Sequence, residues 1–362
     1  MYDSEYLFFI YSGFLAAVIL FSLVFNTILL KFATNLGIRE TGESTIRWSN
    51  VVKPSLGGIS LYLGFLIAAT CHGIFFDQQN IFIDSETLGL LGASAIAFMM
   101  GLADDAYNTK PWLKFFAQAF CGVLLIFSGN YIQIFELEIL NYILTMLWVV
   151  GMMNSINMLD NMDAITSVVA IFTIVTCLVV LILNKGYTDY NFILMLGVVG
   201  SVIGFIFHNW NPSKMFMGDT GSQFLGIFLA AISINYLWNH TPELNDVSGA
   251  QQICLVLTTF ALPLTDTATV VINRISKGKS PFVGGKDHTT HHLSYLGLSD
   301  SQVAFVFIGI SVISLLLVTA AIKFIPIWKF YHTLIYVGYF LLVFGTLFGI
   351  TKYSKSNMHE SK

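Results

Sequence analysis

The sequence is short of charge. Asp, Glu, Lys and Arg make up 10% of the 362 residues, whereas hydrophobic residues make up 56%. Soluble globular domains carry about 25% charged residues, so this composition excludes an ordinary soluble fold. No stretch between the apolar segments is long enough to form a soluble domain of useful size.

Cysteine is also scarce, and the four cysteines do not form a redox or metal motif. Each lies in a different apolar segment, and no two are spaced as CxxC. We therefore expect buried thiols rather than zinc ligands or disulfides. The first apolar segment lacks the basic start and the small-residue cleavage pattern of a signal peptide. No internal repeat of the transporter kind is visible.

What the chain has instead is a series of apolar segments, each about as long as a helix that crosses a bilayer. They fall at 7–30, 57–76, 87–103, 112–128, 139–158, 164–183, 190–208, 220–238, 251–273, 301–322 and 328–350. The sequence therefore predicts an all-α integral membrane protein with about eleven transmembrane helices. These helices would form a single polytopic membrane domain over residues 1–362.

Lys and Arg are distributed unevenly between the two sides. If the N-terminus lies outside, all but Lys185, Lys323 and Lys329 of the 17 basic residues lie on the cytoplasmic side. Because cytoplasmic loops are enriched in basic residues, we predict an outside N-terminus and a cytoplasmic C-terminus. Polar and ionisable residues cluster on that inner side, and such groups at membrane depth are usually functional. The predicted active site is built from loops 31–56, 104–111, 159–163, 209–219 and 275–300.

Two adjacent carboxylates, Asp104 and Asp105, end the third segment. Like charges this close repel each other, so a cation or a shared proton would relieve them. A hard divalent ion accepts oxygen ligands of this kind. For an isolated pair, a helix-ending turn with solvated charges is the favoured alternative.

Polar residues recur at every third position where the fifth segment ends: Asn154, Asn157, Asp160 and Asp163. Positions three apart share one face of a helix. A polar face on an otherwise apolar helix indicates a wet cavity. The alternative is that the asparagines form hydrogen bonds between helices.

Directly before the eighth segment lie Gly218 and Asp219, after a loop that contains Asn209 and Lys214. Backbone N–H groups at a helix start attract phosphate, and glycine permits close approach. Asp219 could hold a metal ion that bridges a pyrophosphate, or it could cap the helix. The sequence favours neither role over the other.

Three histidines, His288, His291 and His292, lie in a basic loop. No cysteine is nearby, and the available carboxylates suit magnesium better than zinc. Binding of phosphate or substrate is therefore the favoured interpretation. Asp266 and Arg274 in the ninth segment could form a buried ion pair or the wall of a pocket.

Taken together, these stretches resemble the polyprenyl-phosphate N-acetylhexosamine-1-phosphate transferase family, which is glycosyltransferase family 4. The resemblance runs in family order from Pro54 to His292. The matching residues are Pro54, Gly57, Gly58, Asp104, Asp105, Lys114, Gln118, Asn154, Asn157, Asp160, Asp163, Asn209, Pro212, Lys214, Phe216, Met217, Gly218, Asp219, Gly221, Ser222, His288, His291 and His292. Asn161 and Ala164 stand where the family has glycine. The histidine motif is one residue longer than HxHH, and three consecutive histidines, typical of the muramyl-pentapeptide branch, are absent.

The resemblance implies transfer of a sugar-1-phosphate, GlcNAc-1-phosphate first of all, from a UDP-N-acetylhexosamine to undecaprenyl phosphate with release of UMP. This would be the first step of cell-envelope polysaccharide assembly, on the cytoplasmic face of the bacterial inner membrane. The resemblance also implies Mg²⁺ as cofactor, with Mn²⁺ as a substitute, and it allows a homodimer. No nucleic-acid partner is expected.

The resemblance also distributes roles among the residues. Asp219 is expected to be the metal ligand. Asp104 and Asp105 are expected to be catalytic, by orienting or deprotonating the lipid phosphate or by sharing the metal. The expected substrate-binding residues are Lys114, Asn154, Asn157, Asp160, Asp163, Asn209, Lys214, His288, His291 and His292. The alternative function is a membrane transporter or lipid flippase, in which the charges should lie near the middle of the spans.

Overall fold

The computed structural model describes residues 4–36, 53–75, 84–184, 186, 189–240, 249–281 and 284–360. Within these ranges the regular structure is helical, and the only β-contact is an isolated bridge between Ser55 and Phe216. The predicted all-α class is therefore confirmed. Of the predicted site loops, residues 37–52 and 282–283 lie outside the described residues.

Thirteen α-helices follow one another in the described parts of the chain. They are α1 (Ser4–Leu36), α2 (Gly57–Phe75), α3 (Ser85–Tyr107), α4 (Pro111–Ser128), α5 (Glu138–Leu159), α6 (Ile165–Leu183), α7 (Tyr190–Asn209), α8 (Gly218–Ser233), α9 (Gly249–Thr259), α10 (Ala261–Ile275), α11 (Thr289–Tyr295), α12 (Asp300–Phe324) and α13 (Phe330–Glu360). A π-helical turn, Ile234–Trp238, continues α8.

Each of the eleven predicted segments coincides with described helix. Among the described residues, nine helices are long and apolar enough to cross a membrane, and the bent pair α9–α10 would make a tenth. The apolar part of α2, Gly57–Gly73, is shorter than these. Large apolar side chains such as Phe9, Phe116, Phe305 and Leu342 are exposed on the outer helices, as expected where a helix faces lipid. The chain is an integral membrane protein.

The predicted ninth segment, 251–273, is not one helix. α9 and α10 are inclined to each other by 77°, with the break at Phe260. Pro263 explains the break, because it has no N–H for the carbonyl of Thr259 and its ring would clash with that carbonyl. α10 therefore leaves the line of α9 and carries its polar residues toward the end of α5, where Ser155 Oγ donates to the Pro263 carbonyl (2.9 Å).

α8 is the central helix of the bundle. It packs against α2, α3, α5 and α6, and every residue from Thr220 to Ser233 is buried. α3 comes so close that a Cβ at Gly101 would lie 2.3 Å from the carbonyl oxygen of Asp219. Only glycine permits this approach, which brings the last turn of α3 against the first turn of α8.

Candidate active site

The end of α3 meets the start of α8 through Asp105. Its carboxylate accepts the backbone N–H groups of Asp219 (3.0 Å) and Thr220 (2.8 Å) and the hydroxyl of Thr220 (2.6 Å). These N–H groups are among those that a helix start leaves without intrahelical partners. Asp105 therefore caps α8 from another helix. Gly218 (φ +76°) makes room for it, since a Cβ there would lie 2.6 Å from Asp105 Oδ2.

Asp105 caps α8, so the side chain of Asp219 is not needed as the cap and bonds to other residues. Asp219 Oδ1 accepts from Asn157 Nδ2 (2.9 Å), and Asp219 Oδ2 contacts the ammonium of Lys114. Lys114 also donates to Asp104 Oδ2 (3.0 Å). The capping alternative for Asp219 is thus not what the structure shows. Asp104, Lys114, Asn157 and Asp219 are called the carboxylate–lysine cluster below.

Four helix ends meet at the carboxylate–lysine cluster. Asp104 comes from the last turn of α3, Lys114 from the first turn of α4, Asn157 from the last turn of α5 and Asp219 from the first turn of α8. The Asp219 side chain is 28% exposed, so solvent reaches the cluster. Lys114 provides the cation that relieves the repulsion between carboxylates, and the group as a whole remains one negative charge in excess.

The four polar residues at and after the end of α5, Asn154, Asn157, Asp160 and Asp163, differ in their surroundings. Asn157 also donates to Ser222 Oγ (2.9 Å), and Asn154 pairs with Gln118 one turn deeper. Both asparagines therefore face α4 and α8, as their spacing predicts. Asp160 lies at the C-terminus of α5, where its N–H donates to the carbonyl of Asn157 (3.3 Å).

Asp163 lies away from the carboxylate–lysine cluster. It accepts from Ser213 N (3.0 Å), Ser213 Oγ (2.7 Å) and Asn211 Nδ2 (3.1 Å), with Lys53 Nζ at 3.6 Å. Lys53 itself donates to Ser213 Oγ (2.8 Å). Asp163 thus fastens the loop before α8 to the loop before α2. Its predicted contact with substrate stays a prediction.

Asn209 is likewise engaged with the protein. Its Oδ1 accepts from Ala164 N (3.0 Å) and Ser167 Oγ (3.1 Å), and its Nδ2 donates to the Met215 carbonyl (3.1 Å). Asn209 therefore holds the loop before α8 against the start of α6. Lys214 in the same loop is exposed. Substrate contacts of Asn209 and Lys214 remain predictions.

The predicted pairing of Asp266 with Arg274 is wrong. Eight residues along a helix separate two positions by about 12 Å, which is too far for contact. Arg274 instead binds Asp287 with two parallel hydrogen bonds, Nε–Oδ2 (2.9 Å) and Nη2–Oδ1 (2.7 Å). Asp266, 1% exposed, accepts from His288 Nδ1 (2.8 Å) and from Thr289 N (2.8 Å). Both α10 residues therefore bind the segment from Asp287 to His292, which is called the histidine loop below.

The three histidines are buried. His288 is held by Asp266, and His292 Nδ1 contacts Ser354 Oγ on α13. Burial and the neighbouring His288 lower the pKa of His291 to about 3, so His291 is neutral at ordinary pH. Burial opposes ionisation of Asp287, yet its hydrogen bonds with Arg274 outweigh this effect and hold its pKa below the usual value.

The histidine loop is tied to the end of α5 by a contact that the sequence did not reveal. Thr290 Oγ1 donates to Asn161 Oδ1 (2.6 Å). Asn161 is one of the two positions at which the sequence departs from the family glycine pattern. The structure thus brings the histidine loop beside Asp160, and the carboxylate–lysine cluster lies at the same end of α5.

Comparisons with known proteins agree with this architecture. The family model for glycosyl transferase family 4 matches residues 87–237, which span α3 to α8 and contain the carboxylate–lysine cluster. A Bacillus subtilis protein described as a probable undecaprenyl-phosphate N-acetylglucosaminyl 1-phosphate transferase is 25% identical over 286 residues, 76% of this chain and 75% of its own length.

Two further relatives cover more of the chain. The undecaprenyl-phosphate alpha-N-acetylglucosaminyl 1-phosphate transferase of Yersinia pestis is 24% identical over 90% of this chain and 87% of its own length. The phospho-N-acetylmuramoyl-pentapeptide-transferase of Rickettsia africae is 27% identical over 86% of this chain and 93% of its own length. Residues 87–237 therefore match glycosyl transferase family 4, and the chain is a sugar-phosphate transferase.

Proposed function

We propose that the chain transfers N-acetylglucosamine-1-phosphate from UDP-N-acetylglucosamine to undecaprenyl phosphate and releases UMP. The relatives described as N-acetylglucosaminyl 1-phosphate transferases support this acceptor and this sugar. The reaction would begin the assembly of a cell-envelope polysaccharide at the cytoplasmic face of the inner membrane. The sidedness rests on the distribution of Lys and Arg.

The observation that carries the proposal is the carboxylate–lysine cluster at the meeting point of four helix ends. A polyprenyl chain stays in the bilayer, so its phosphate can meet a water-soluble nucleotide only at the interface. The charged groups of Asp104, Lys114 and Asp219 lie in terminal helical turns, where such a meeting would take place. A transporter would need its charged groups near mid-span.

The proposed transfer joins two anions. An oxygen of the lipid phosphate attacks the β-phosphorus of the nucleotide-sugar, and the bond from that phosphorus to the bridging oxygen breaks. UMP leaves with the electron pair of that bond. Because the nucleophile is already an anion, catalysis is mainly positioning and charge neutralisation. Lys114 is placed to offer its ammonium to a phosphate oxygen, and Asp104 to orient the lipid phosphate or accept its proton.

The donor set fits Mg²⁺. Within the described ranges no three His, Cys, Asp or Glu residues are grouped as metal ligands, but Mg²⁺ commonly uses one or two carboxylates together with substrate phosphates and water. Asp219 and Asp104 are two such carboxylates, both in contact with Lys114. When bound there, Mg²⁺ would neutralise charge on the pyrophosphate and on departing UMP.

The remaining residues receive supporting roles in this proposal. Asn157 orients the Asp219 carboxylate through the hydrogen bond from its Nδ2. Asp160 and the histidine loop lie at the same end of α5 and would contact the nucleotide-sugar. The neutral imidazole of His291 can both donate and accept a hydrogen bond.

The test is release of UMP by the full chain, purified in detergent with undecaprenyl phosphate. UDP-N-acetylglucosamine, UDP-N-acetylgalactosamine and UDP alone would be compared with and without Mg²⁺. Asp219→Asn is the test variant. Asp246→Asn, which changes an acidic residue far from this motif in the sequence, is the control. We expect UMP that requires lipid, Mg²⁺ and Asp219.

The outcomes of this assay distinguish transfer of another sugar, transport and hydrolysis. UMP from a different UDP-sugar would keep the reaction and correct the sugar. No UMP from any donor, in protein that remains folded, would contradict the proposal and favour a transport function. UMP release that does not require undecaprenyl phosphate would show hydrolysis instead of transfer.

A further inference from the structure

One helical turn deeper than the carboxylate–lysine cluster, three of its four helices, α4, α5 and α8, each contribute a side-chain amide. α4 carries Gln118 four residues after Lys114, and α8 carries Gln223 four residues after Asp219. α5 runs in the opposite direction and carries Asn154 three residues before the asparagine of the cluster. Positions three or four apart share a helix face, so the amides lie beneath the charged groups. Gln118, Asn154 and Gln223 are called the amide tier below.

Hydrogen bonds connect the amide tier across helices. Gln118 Nε2 donates to Gln223 Oε1 (3.0 Å), which joins α4 to α8. Asn154 Nδ2 donates to Gln118 Oε1 (2.7 Å), which joins α5 to α4. Gln118 is 1% exposed and Gln223 is fully buried. Leaving a buried amide without its partner is unfavourable, so rotation or sliding of any of these helices is opposed.

We propose that the amide tier is a positioning device. It fixes the rotation and depth of α4, α5 and α8 relative to one another, and thereby the relative positions of Lys114, Asn157 and Asp219 one turn above. In this proposal the tier acts on the positions of the helices and not on substrate, which differs from the substrate contact that the sequence predicts for Asn154. The catalytic part of this inference rests on the proposed function, whereas its structural part does not.

The contacts among the charged groups change when substrate binds, so these contacts alone do not keep the helices aligned. A phosphate that enters the carboxylate–lysine cluster competes for Lys114, and a cation competes for Asp219. The bonds that hold the cluster in the free enzyme are therefore exchanged during the reaction. The neutral amides one turn deeper keep their partners throughout, so the three helices stay aligned while the charged contacts change.

A second buried hydrogen bond provides the matched control. Trp148 Nε1 donates to Ser233 Oγ (2.9 Å) and joins α5 to α8, the two helices that the bond between Asn157 and Asp219 connects at the cluster. Ser233 lies 14 residues after Asp219 (positions 219 and 233), or about 21 Å along the helix. It contributes to the same helix pair without defining the geometry of the cluster.

The experiment uses the full chain in detergent and the variants Gln118→Leu and Ser233→Ala. The readouts are kcat and KM for UMP release, and amide hydrogen exchange of residues 218–224 measured by mass spectrometry. For Gln118→Leu we expect kcat to fall by about 10- to 100-fold, while KM for the nucleotide-sugar stays within about twofold. Exchange at the first turn of α8 should become faster. Ser233→Ala should change neither kcat nor the exchange at the first turn of α8.

A compensating exchange tests the bond itself. Gln118→Asn shortens one amide and Asn154→Gln lengthens its partner, so each single variant breaks the contact and the double variant keeps the combined reach. We expect the double variant to recover part of the kcat lost in Gln118→Asn, because the exchange restores the bond between positions 118 and 154 but not the bond to Gln223. If Gln118→Leu does not fold, Gln118→Asn and the double variant take its place in the experiment.

Several results would overturn the inference. Wild-type kcat and wild-type exchange in Gln118→Leu would show that the tier does not position the cluster. A double variant no better than Gln118→Asn would show that the bond between α4 and α5 in the tier does not position the cluster. If the wild-type chain releases no UMP from any donor, the proposed function fails, and hydrogen exchange alone still decides whether the amide tier holds the start of α8.

Discussion

Replacing Asp105 with alanine should loosen the first turn of α8 before it affects any chemical step. The Asp105 carboxylate accepts three hydrogen bonds, two from backbone N–H groups of α8 and one from the Thr220 hydroxyl. A buried donor that loses its partner costs about 1–3 kcal/mol. Water from the nearby interface will replace part of the loss, so we expect a fall in the free energy of unfolding of about 2–5 kcal/mol.

Asp105→Asn should behave differently. The asparagine keeps the shape of the side chain and one acceptor oxygen, so the loss should be nearer to that of a weakened helix cap, about 1 kcal/mol. Since Asp219 would remain close to its place, kcat should fall by roughly tenfold. The assays are thermal unfolding followed by tryptophan fluorescence, hydrogen exchange of the first turn of α8, and UMP release well below the melting temperature.

One result would refute this reasoning. If Asp105→Asn abolishes UMP release while the melting temperature and hydrogen exchange remain those of the wild type, then the carboxylate itself takes part in the chemistry. That outcome would support the catalytic role that the sequence predicts for Asp105. Equal melting temperatures of Asp105→Ala and the wild type would show that the cap contributes little.

Three other substitutions give separate tests. Asp219→Asn should lower UMP release by at least about 10²- to 10³-fold with little change in melting temperature, because Asp105 still caps α8; a large stability loss would contradict this. Lys114→Met removes the ammonium shared by Asp104 and Asp219, so half-saturation should need less Mg²⁺ while kcat falls; an unchanged Mg²⁺ dependence would refute the role of Lys114. The pKa of His291 is about 3 in the fold against 6.5 ordinarily, so the unfolded chain binds a proton that the fold does not, and stability falls as pH drops below about 6.5, by up to about 1.4 kcal/mol per unit. His291→Gln should flatten the melting temperature between pH 7.5 and 5, and an equal slope would contradict this.

Hydropathy located the helices because a bilayer requires long apolar segments whatever their tertiary packing. Two local features of the helices were not predicted. Pro263 marks the break between α9 and α10, and it lies in a segment that is otherwise apolar throughout. The helix Thr289–Tyr295 contains only seven residues, which is too short for a helical periodicity to stand out.

The sequence motifs identified most residues of the candidate site, but their spacing did not predict which residues they contact. Lys114 and Asp219 are 105 positions apart in the chain, and their contact depends on how α4 and α8 both pack against α3 and α5. The same is true of Asp105, whose partners lie at the start of α8 and not on its own helix. Asp266 and Arg274 were paired because they share a helix, although their true partners lie in the loop that follows.

The burial of α8 has a consequence for how the protein is made. Among the long apolar helices in the described ranges, α8 has the lowest mean hydropathy and the largest buried share. A helix of this kind gains least from lipid during insertion, so its stable residence in the membrane depends on neighbours that are already present. The segment that carries Asp219 would therefore settle late in biogenesis, and substitutions at its buried apolar residues should reduce the amount of protein in the membrane before they change its activity.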